Sequence, residues 1–320
     1  MSVTITTGGV TITGAGVTFV APPPTQATAG WFAGGNPGPN SVVQRITFAT
    51  DTATATVRGP LSFAMVNGAA AGTFTYGWFA GGFSTLVSRI TYSTDTATAS
   101  ARGPLEATRY LDAATGSDSY GYFAGGQLAP GPYQTNASKI NYSNDTATAT
   151  ATATFPVGFN AGSATTDTTT YGWFGGGRIT GFVAISSVNR ISYATDSGAT
   201  SARGPLSSAR YQGAAIGNSS YGWFGGANQN ITTVDRITYA TDTATASART
   251  TLAFNFSSIY KLAAAGDANY GWFGAGKGFG PSAALTTVNR ITYATDTAAM
   301  SVRGPLSSAA YSHAASSGVQ

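Results

Sequence analysis

Six cations and six aspartates recur at one spacing in this 320-residue sequence. Arg45, Arg89, Lys139, Arg190, Arg236 and Arg290 are each followed six residues later by an acid, at Asp51, Asp95, Asp145, Asp196, Asp242 and Asp296. Carboxylates beside cations can do chemistry. Paired acids hydrolyse glycosidic bonds, and an arginine cluster with an acid suits a sialidase-type site. A catalytic site, however, breaks the symmetry of its scaffold, and these residues recur in every copy of a repeat. Arg–Asp pairing or arginine-to-backbone bonding, within or between repeats, is the expectation, because the guanidinium fork satisfies several acceptors at once. The acids outside the pattern, Asp112, Asp118, Asp167, Asp235 and Asp267, with Glu106 as the single glutamate, form no motif. His313 is the lone histidine and reads as a packed or surface residue. Cysteine is absent, which closes disulfide, zinc–thiolate, iron–sulfur and thiol chemistry. No catalytic set, metal site or cofactor is expected, and the sequence reads as a non-enzyme.

The residues that position these charges form a repeat. Its marker is an aromatic pair followed by small residues, as in Tyr76-Gly77-Trp78-Phe79-Ala80-Gly81-Gly82. The aligned aromatics are Trp31, Trp78, Tyr122, Trp173, Trp223 and Trp272, separated by 47, 44, 51, 50 and 49 residues. Each marker precedes an Arg-Ile-Thr-Tyr-type segment, the spaced aspartate, and a Thr/Ala/Ser alternation. Four units then read Arg-Gly-Pro-Leu, at 58–61, 102–105, 203–206 and 303–306, and a small-residue stretch closes the unit. Short alternating runs bounded by Gly, Pro, Asn and Asp are the strand signal. In Thr96–Arg102 the period is two, which predicts an outer strand with Ala97, Ala99 and Ala101 on one face. The preceding aspartate is expected to bond its own turn backbone. The large aromatics read as packing between units.

Four strands per repeat of this length is the arithmetic of a β-propeller blade. In its order of Arg…Ala-Ala, aromatic-Phe-Gly-Gly and Val-x-Arg-Ile-x-Tyr, the repeat resembles the kelch family, whose glycine doublet ends the second blade strand. The resemblance covers about residues 28–318 and departs in placing tryptophan in the second strand rather than the fourth. It implies an all-β, six-bladed, kelch-like β-propeller of four-stranded blades over residues 25–320, and no kelch partner or activity is carried over. The stretch at Ala310–Ala315 reads as a first strand without a partner, and Gly30-Trp31-Phe32 as a second strand without its first. Joining them closes the ring with both chain ends in one blade and leaves no open edge.

Function is expected in the irregular segments, because loops on a rigid scaffold carry recognition. The candidate binding-face residues are Asn36, Asn40, Tyr133, Arg178, Phe182, Asn228, Gln229, Lys277 and Phe279. Residues 1–24 read as a separate β-arm in which Val3, Ile5, Val10, Ile12, Val17 and Phe19 alternate with hydroxyl residues, and Pro22-Pro23-Pro24 follows as a stiff spacer. Such strands cannot bury a core alone and need another surface, either the propeller's own flank or a partner chain, and an anchoring role in assembly is the expectation. The +4 net charge is dispersed through the repeat rather than clustered, which argues for paired charges and against a nucleic-acid partner. No apolar run approaches the ~18 residues of a spanning helix, so no membrane insertion is expected. No basic segment with an apolar core opens the sequence, so no secretory signal is expected. The Thr/Ala/Gly/Ser-rich, weakly charged composition resembles bacteriophage fibre and decoration proteins, those of marine cyanophages especially. That resemblance implies a virion location, with a cell-surface glycan or receptor as the outward partner. The alternative is a bacterial surface propeller that binds carbohydrate.

Overall fold

The computed structural model describes residues 2–6, 9–13, 26–110, 113–128, 131–167, 169–228, 231–254, 259–278 and 284–317. Six four-stranded antiparallel blades form a β-propeller. Blade 1 is built from both chain ends: Ala314–Ser317 is its innermost strand, followed by Ala29–Ala33, Val43–Thr47 and Thr56–Arg58. The closing register pairs Ala33 with Ala314 and Gly30 with Ser317. Blades 2–6 each take their strands in chain order, with innermost strands at Gly68–Gly72, Ala113–Gly116, Ser163–Thr166, Ala214–Gly217 and Ala263–Gly266. Residues Ser2–Thr6 and Gly9–Thr13 form a hairpin that pairs Val3 with Ile12 and Ile5 with Val10. Val17 and Phe19 lie outside the described residues.

Burial follows position in the blade. The second strands, such as Tyr76–Gly81, are buried almost throughout because neighbouring blades cover both faces. In the six innermost strands, Ala70, Ala114, Ala164, Ala215, Ala264 and Ala315 face the axis and leave a cavity of only about 60 Å³. The glycine of the Tyr-Gly-Trp marker lets adjacent blades approach. A Cβ on Gly77 would stand 2.8 Å from Tyr92 Oη of its own blade and 3.0 Å from Ser316 Oγ of the preceding one. The doublets that end the second strands adopt positive φ, as at Gly34 (74°) and Gly35 (103°), a region that favours glycine.

The outer strands differ from expectation. Only Ser100–Arg102 is strand, and Ala97 and Ala101 are exposed while Ala99 is buried. The Thr/Ala alternation is mostly a turn that crosses the flank of the preceding blade, and an alternating pattern cannot by itself distinguish that path from a pleated strand. The turn aspartate is likewise engaged by the preceding blade rather than holding its own turn.

Candidate functional site

The repeated charges form a ring of six inter-blade locks. Asp95 Oδ2 of blade 2 accepts from Trp31 Nε1 at 2.8 Å and Arg45 Nη1 at 3.1 Å, with Arg58 Nε at 3.5 Å, all from blade 1. The same arrangement joins Trp78, Arg89 and Arg102 to Asp145. It recurs with Trp173, Arg190 and Arg203 on Asp242, and with Trp223, Arg236 and Arg249 on Asp296. Trp272, Arg290 and Arg303 on Asp51 complete the circle. Blade 3 departs, where Tyr122 Oη and Lys139 Nζ meet Asp196 at 2.5 and 2.7 Å. Each of these tryptophans also stacks on an aromatic ring of the next blade, for example Trp31 on Tyr92 at 3.8 Å and Trp272 on Phe48 at 3.9 Å.

Arg-Gly-Pro-Leu is the backbone half of this lock. Gly59 N donates to Asp95 O at 2.8 Å, and Pro60 O accepts from Ala99 N at 2.8 Å. A Cβ on Gly59 would lie 2.0 Å from Ala97 O, so glycine is required for the contact. The fourth-strand arginines were legible as part of that motif, but nothing in the sequence says that they converge on the next blade's carboxylate. The five locks with two arginines each carry one excess positive charge, so the ring of locks holds five positive charges against a net charge of +4 for the whole sequence.

Two further acids are also structural. Asp235 holds Arg210 at 2.8 Å and accepts from Ser207, and Glu106 pairs with the fully buried Arg109. His313 is buried beside the axial cavity, and burial pushes its imidazole down to about 4. Among the described residues no three of His, Cys, Asp and Glu gather in a metal-holding group.

The blade topology gives the ring two unlike ends. Connections between second and third strands, and those joining one blade to the next, share a loop face. The hairpin turns between first and second strands lie on the opposite, turn face. Once the locks and buried pairs are set aside, the remaining basic residues, Arg178, Lys261 and Lys277, are all on the loop face. The described remaining acids, Asp118, Asp167 and Asp267, are all on the turn face, and Asp112 lies outside the described residues.

The predicted loop residues separate into two kinds. Asn40 is occupied by its own loop, donating to Gly35 O at 2.8 Å and accepting from Val42 N at 3.1 Å. Asn36 and Asn228 tie the loops to incoming connections, through backbone bonds to Tyr311 O and Tyr211 O. Tyr133 is half-buried in a bridge with Gln127. Phe182 is 71% exposed, and the Arg178 guanidinium lies 5.1 Å from its ring and 5.5 Å from that of Tyr211. Lys277 and Lys261 both lie over Tyr311, at 5.4 and 5.5 Å. Gln229 and Phe279 fall outside the described residues. Sequence reasoning did not select Lys261, Tyr211, Tyr260 or Tyr311. Their signal was a tyrosine before the small-residue strand in four units, at 110, 211, 260 and 311.

A separate opening breaks the repeat on the turn face. In blades 2–6 a tyrosine at the start of the second strand lies under the third-strand cation, as with Tyr76 and Arg89 at 4.3 Å. Blade 1 has Ala29 there. A pocket of about 410 Å³ results, lined by Trp31, Arg45, Phe74 and Tyr92. No known protein family matches the chain, and no curated protein matches it.

Proposed function

We propose that the protein is a non-enzymatic structural or adhesive component of a bacteriophage virion, in a tail fibre, tail-associated or capsid-decoration position. In this reading a propeller of kelch-like layout serves in host attachment, and residues 1–24 anchor it to other virion proteins or to copies of itself. The observation that carries the reading is directional. The chain joins blade 1 through Gln26–Thr28 at the turn face, and the variable loops lie at the opposite end of the ring. An anchor leading from the turn face leaves the loop face pointing outward. The alternating apolar side chains of the arm can supply ~1.5–3 kcal/mol each on burial in a partner, and pairing to an exposed strand edge would fix register.

The test compares the full-length protein with a chain beginning at Thr25, by analytical ultracentrifugation and by co-assembly with the native particle. The reading expects the shortened protein to lose incorporation. Unchanged oligomeric state together with unchanged incorporation removes the arm as anchor. The second reading, a bacterial surface propeller that binds carbohydrate, draws support from the tyrosines and cations of the loop face. Mass spectrometry of purified particles and of cell envelopes separates the two by where the protein is found.

A further inference from the structure

Repetition shows what one place in this fold is built to hold. In blades 2–6 the tyrosine that opens the second strand packs its ring on the third-strand cation at 3.8 to 4.4 Å. In the four of these blades that carry tryptophan, the same ring meets the indole at a steep tilt, 5.7 to 5.9 Å away. Blade 1 keeps both surfaces, Arg45 and Trp31, and has Ala29 in place of the ring. We infer that the blade 1 pocket is a docking socket for a tyrosine side chain presented by another protein. The inference goes beyond the virion reading and does not depend on it.

Exposure and shape single out this blade. The Arg45 side chain is 27% exposed against 19–21% for its five counterparts, and Trp31 is 5% exposed where the other tryptophans are at most 1%. The corresponding groove between blades 5 and 6 measures about 350 Å³, but Tyr221 lines it and neither Trp223 nor Arg236 does. In blade 1 the opening of about 410 Å³ reaches the indole and the guanidinium, with Phe74 and Tyr92 of blade 2 as further walls. A ring seated there gains the cation–π and aromatic contacts that the other blades already display. Arg45 Nη1 stays bonded to Asp95 at 3.1 Å, as its arginine counterparts are to their acids while a tyrosine covers them, so the socket suits a neutral ring rather than an anion. The groove that persists beside Tyr221 shows that room remains once such a ring is in place. Around the blade 1 socket Thr28, Thr75 and Ser93 are exposed, and hydroxyls can pair with the amides of a peptide backbone. A free phenol would use the ring surfaces alone, whereas a tyrosine within a chain segment uses both. Tyrosine is a common anchor of protein interfaces because a rigid ring fills a pocket at low entropic cost.

The experiment follows the five indole N–H signals of the full-length protein by NMR as a capped Thr-Tyr-Gly peptide is added. The Trp31 signal, assigned as the one most displaced in Ala29→Tyr, should move with a dissociation constant on the order of 1 mM, as suits a single anchored ring. A capped Thr-Ala-Gly peptide should leave it in place. Ala29→Tyr supplies the ring from within the chain and should abolish the response, and Phe74→Ala should weaken binding about threefold. Tyr221→Ala is the converse variant. It gives blade 5 the arrangement of blade 1, so the Trp223 signal should then respond as well. No response of Trp31 to the tyrosine peptide, or undiminished binding by Ala29→Tyr, overturns the inference. Equal binding of p-cresol and the peptide also overturns it, because the ligand would then be a free phenol. A Trp31 shift that follows protein concentration alone overturns it in favour of a second copy. Peptide binding seen only in a chain beginning at Thr25 overturns it in favour of residues 1–24 as the occupant.

Discussion

Tyr92, Tyr193 and Tyr239 each place a phenolic hydroxyl against the preceding blade, hydrogen-bonded to the hydroxyls of Ser316, Thr115 and Thr165 at 2.7, 3.1 and 2.9 Å. Tyr142 and Tyr293 occupy the same position, but the neighbours there are Ala71 and Ile216, and their buried hydroxyls have no partner. Where the neighbour is Ala265 the chain already carries Phe48. Tyr293→Phe should therefore be neutral or stabilising, whereas Tyr239→Phe should lose about 1 kcal/mol and leave Thr165 with one bond fewer. Chemical denaturation of the two variants decides this, and equal losses would contradict it. His313 gives a pH dependence. Its folded form holds a neutral imidazole down to about pH 4, against an ordinary value of 6.5. Between these values the unfolded chain binds more protons, so this contribution is complete above 6.5, falls as the pH drops, and levels off below about 4. The full span is about 3 kcal/mol. His313→Leu should flatten the stability difference between pH 7 and 4.5 relative to the parent.

The element that matters most is the junction between blades. A lock joins indole, two guanidiniums and a backbone clamp to one turn, so a single acid holds many groups in place. Asp242→Ala leaves Arg190, Arg203 and Trp173 Nε1 without their acceptor. The expected loss is about 3 kcal/mol, the low end for a broken buried pair, because the arginines keep some contact with water. Asp196→Ala should cost less, since only Lys139 among cations pairs with that acid. Urea midpoints of the two variants would show the order. The blade 1 pocket predicts the opposite sign. Ala29→Tyr supplies the ring that five blades already carry, covers Arg45 and Trp31, and should raise stability by about 1 kcal/mol through burial and a cation–π contact. A thermal midpoint at or below that of the parent would refute this.

At the scale of the whole molecule, stability depends on a closed circle. The blade 1 seam is held by the pairing of Ala29–Ala33 with Ala314–Ser317, by Gln44 binding Ser307 and Ser308, and by Asp51 receiving the blade 6 arginines. Deleting residues 307–320 removes the innermost strand and exposes an unpaired edge. The deletion should abolish cooperative melting or cause aggregation, and a truncated protein that melts like the parent would disprove dependence on closure. The unequal ends belong to this scale too. The loop face carries cations and rings, the turn face carries acids, and the chain joins the ring at the latter.

Periodicity made the scaffold legible. Six markers, strand-length alternation and turn residues repeat often enough that each copy corrects the reading of the others, and the number of blades and their closure by the two chain ends follow from spacing. That the doublets Gly34-Gly35 and Gly125-Gly126 end strands was what the resemblance to the kelch layout implied, not something spacing showed. The missing tyrosine at Ala29 was also visible, but not the pocket it opens. The alternation at Thr96–Arg102 misled because period two describes a side-chain pattern and not the path of the backbone. Only the tertiary structure assigned each aspartate to the blade before it, because partners such as Asp51 and Trp272 are 221 positions apart and six equivalent choices exist. Only it gathered Arg178, Lys261, Lys277 and Tyr311 into one arc. Local sequence fixes what a repeat is, whereas the curvature that brings distant loops to one face arises from packing all six together.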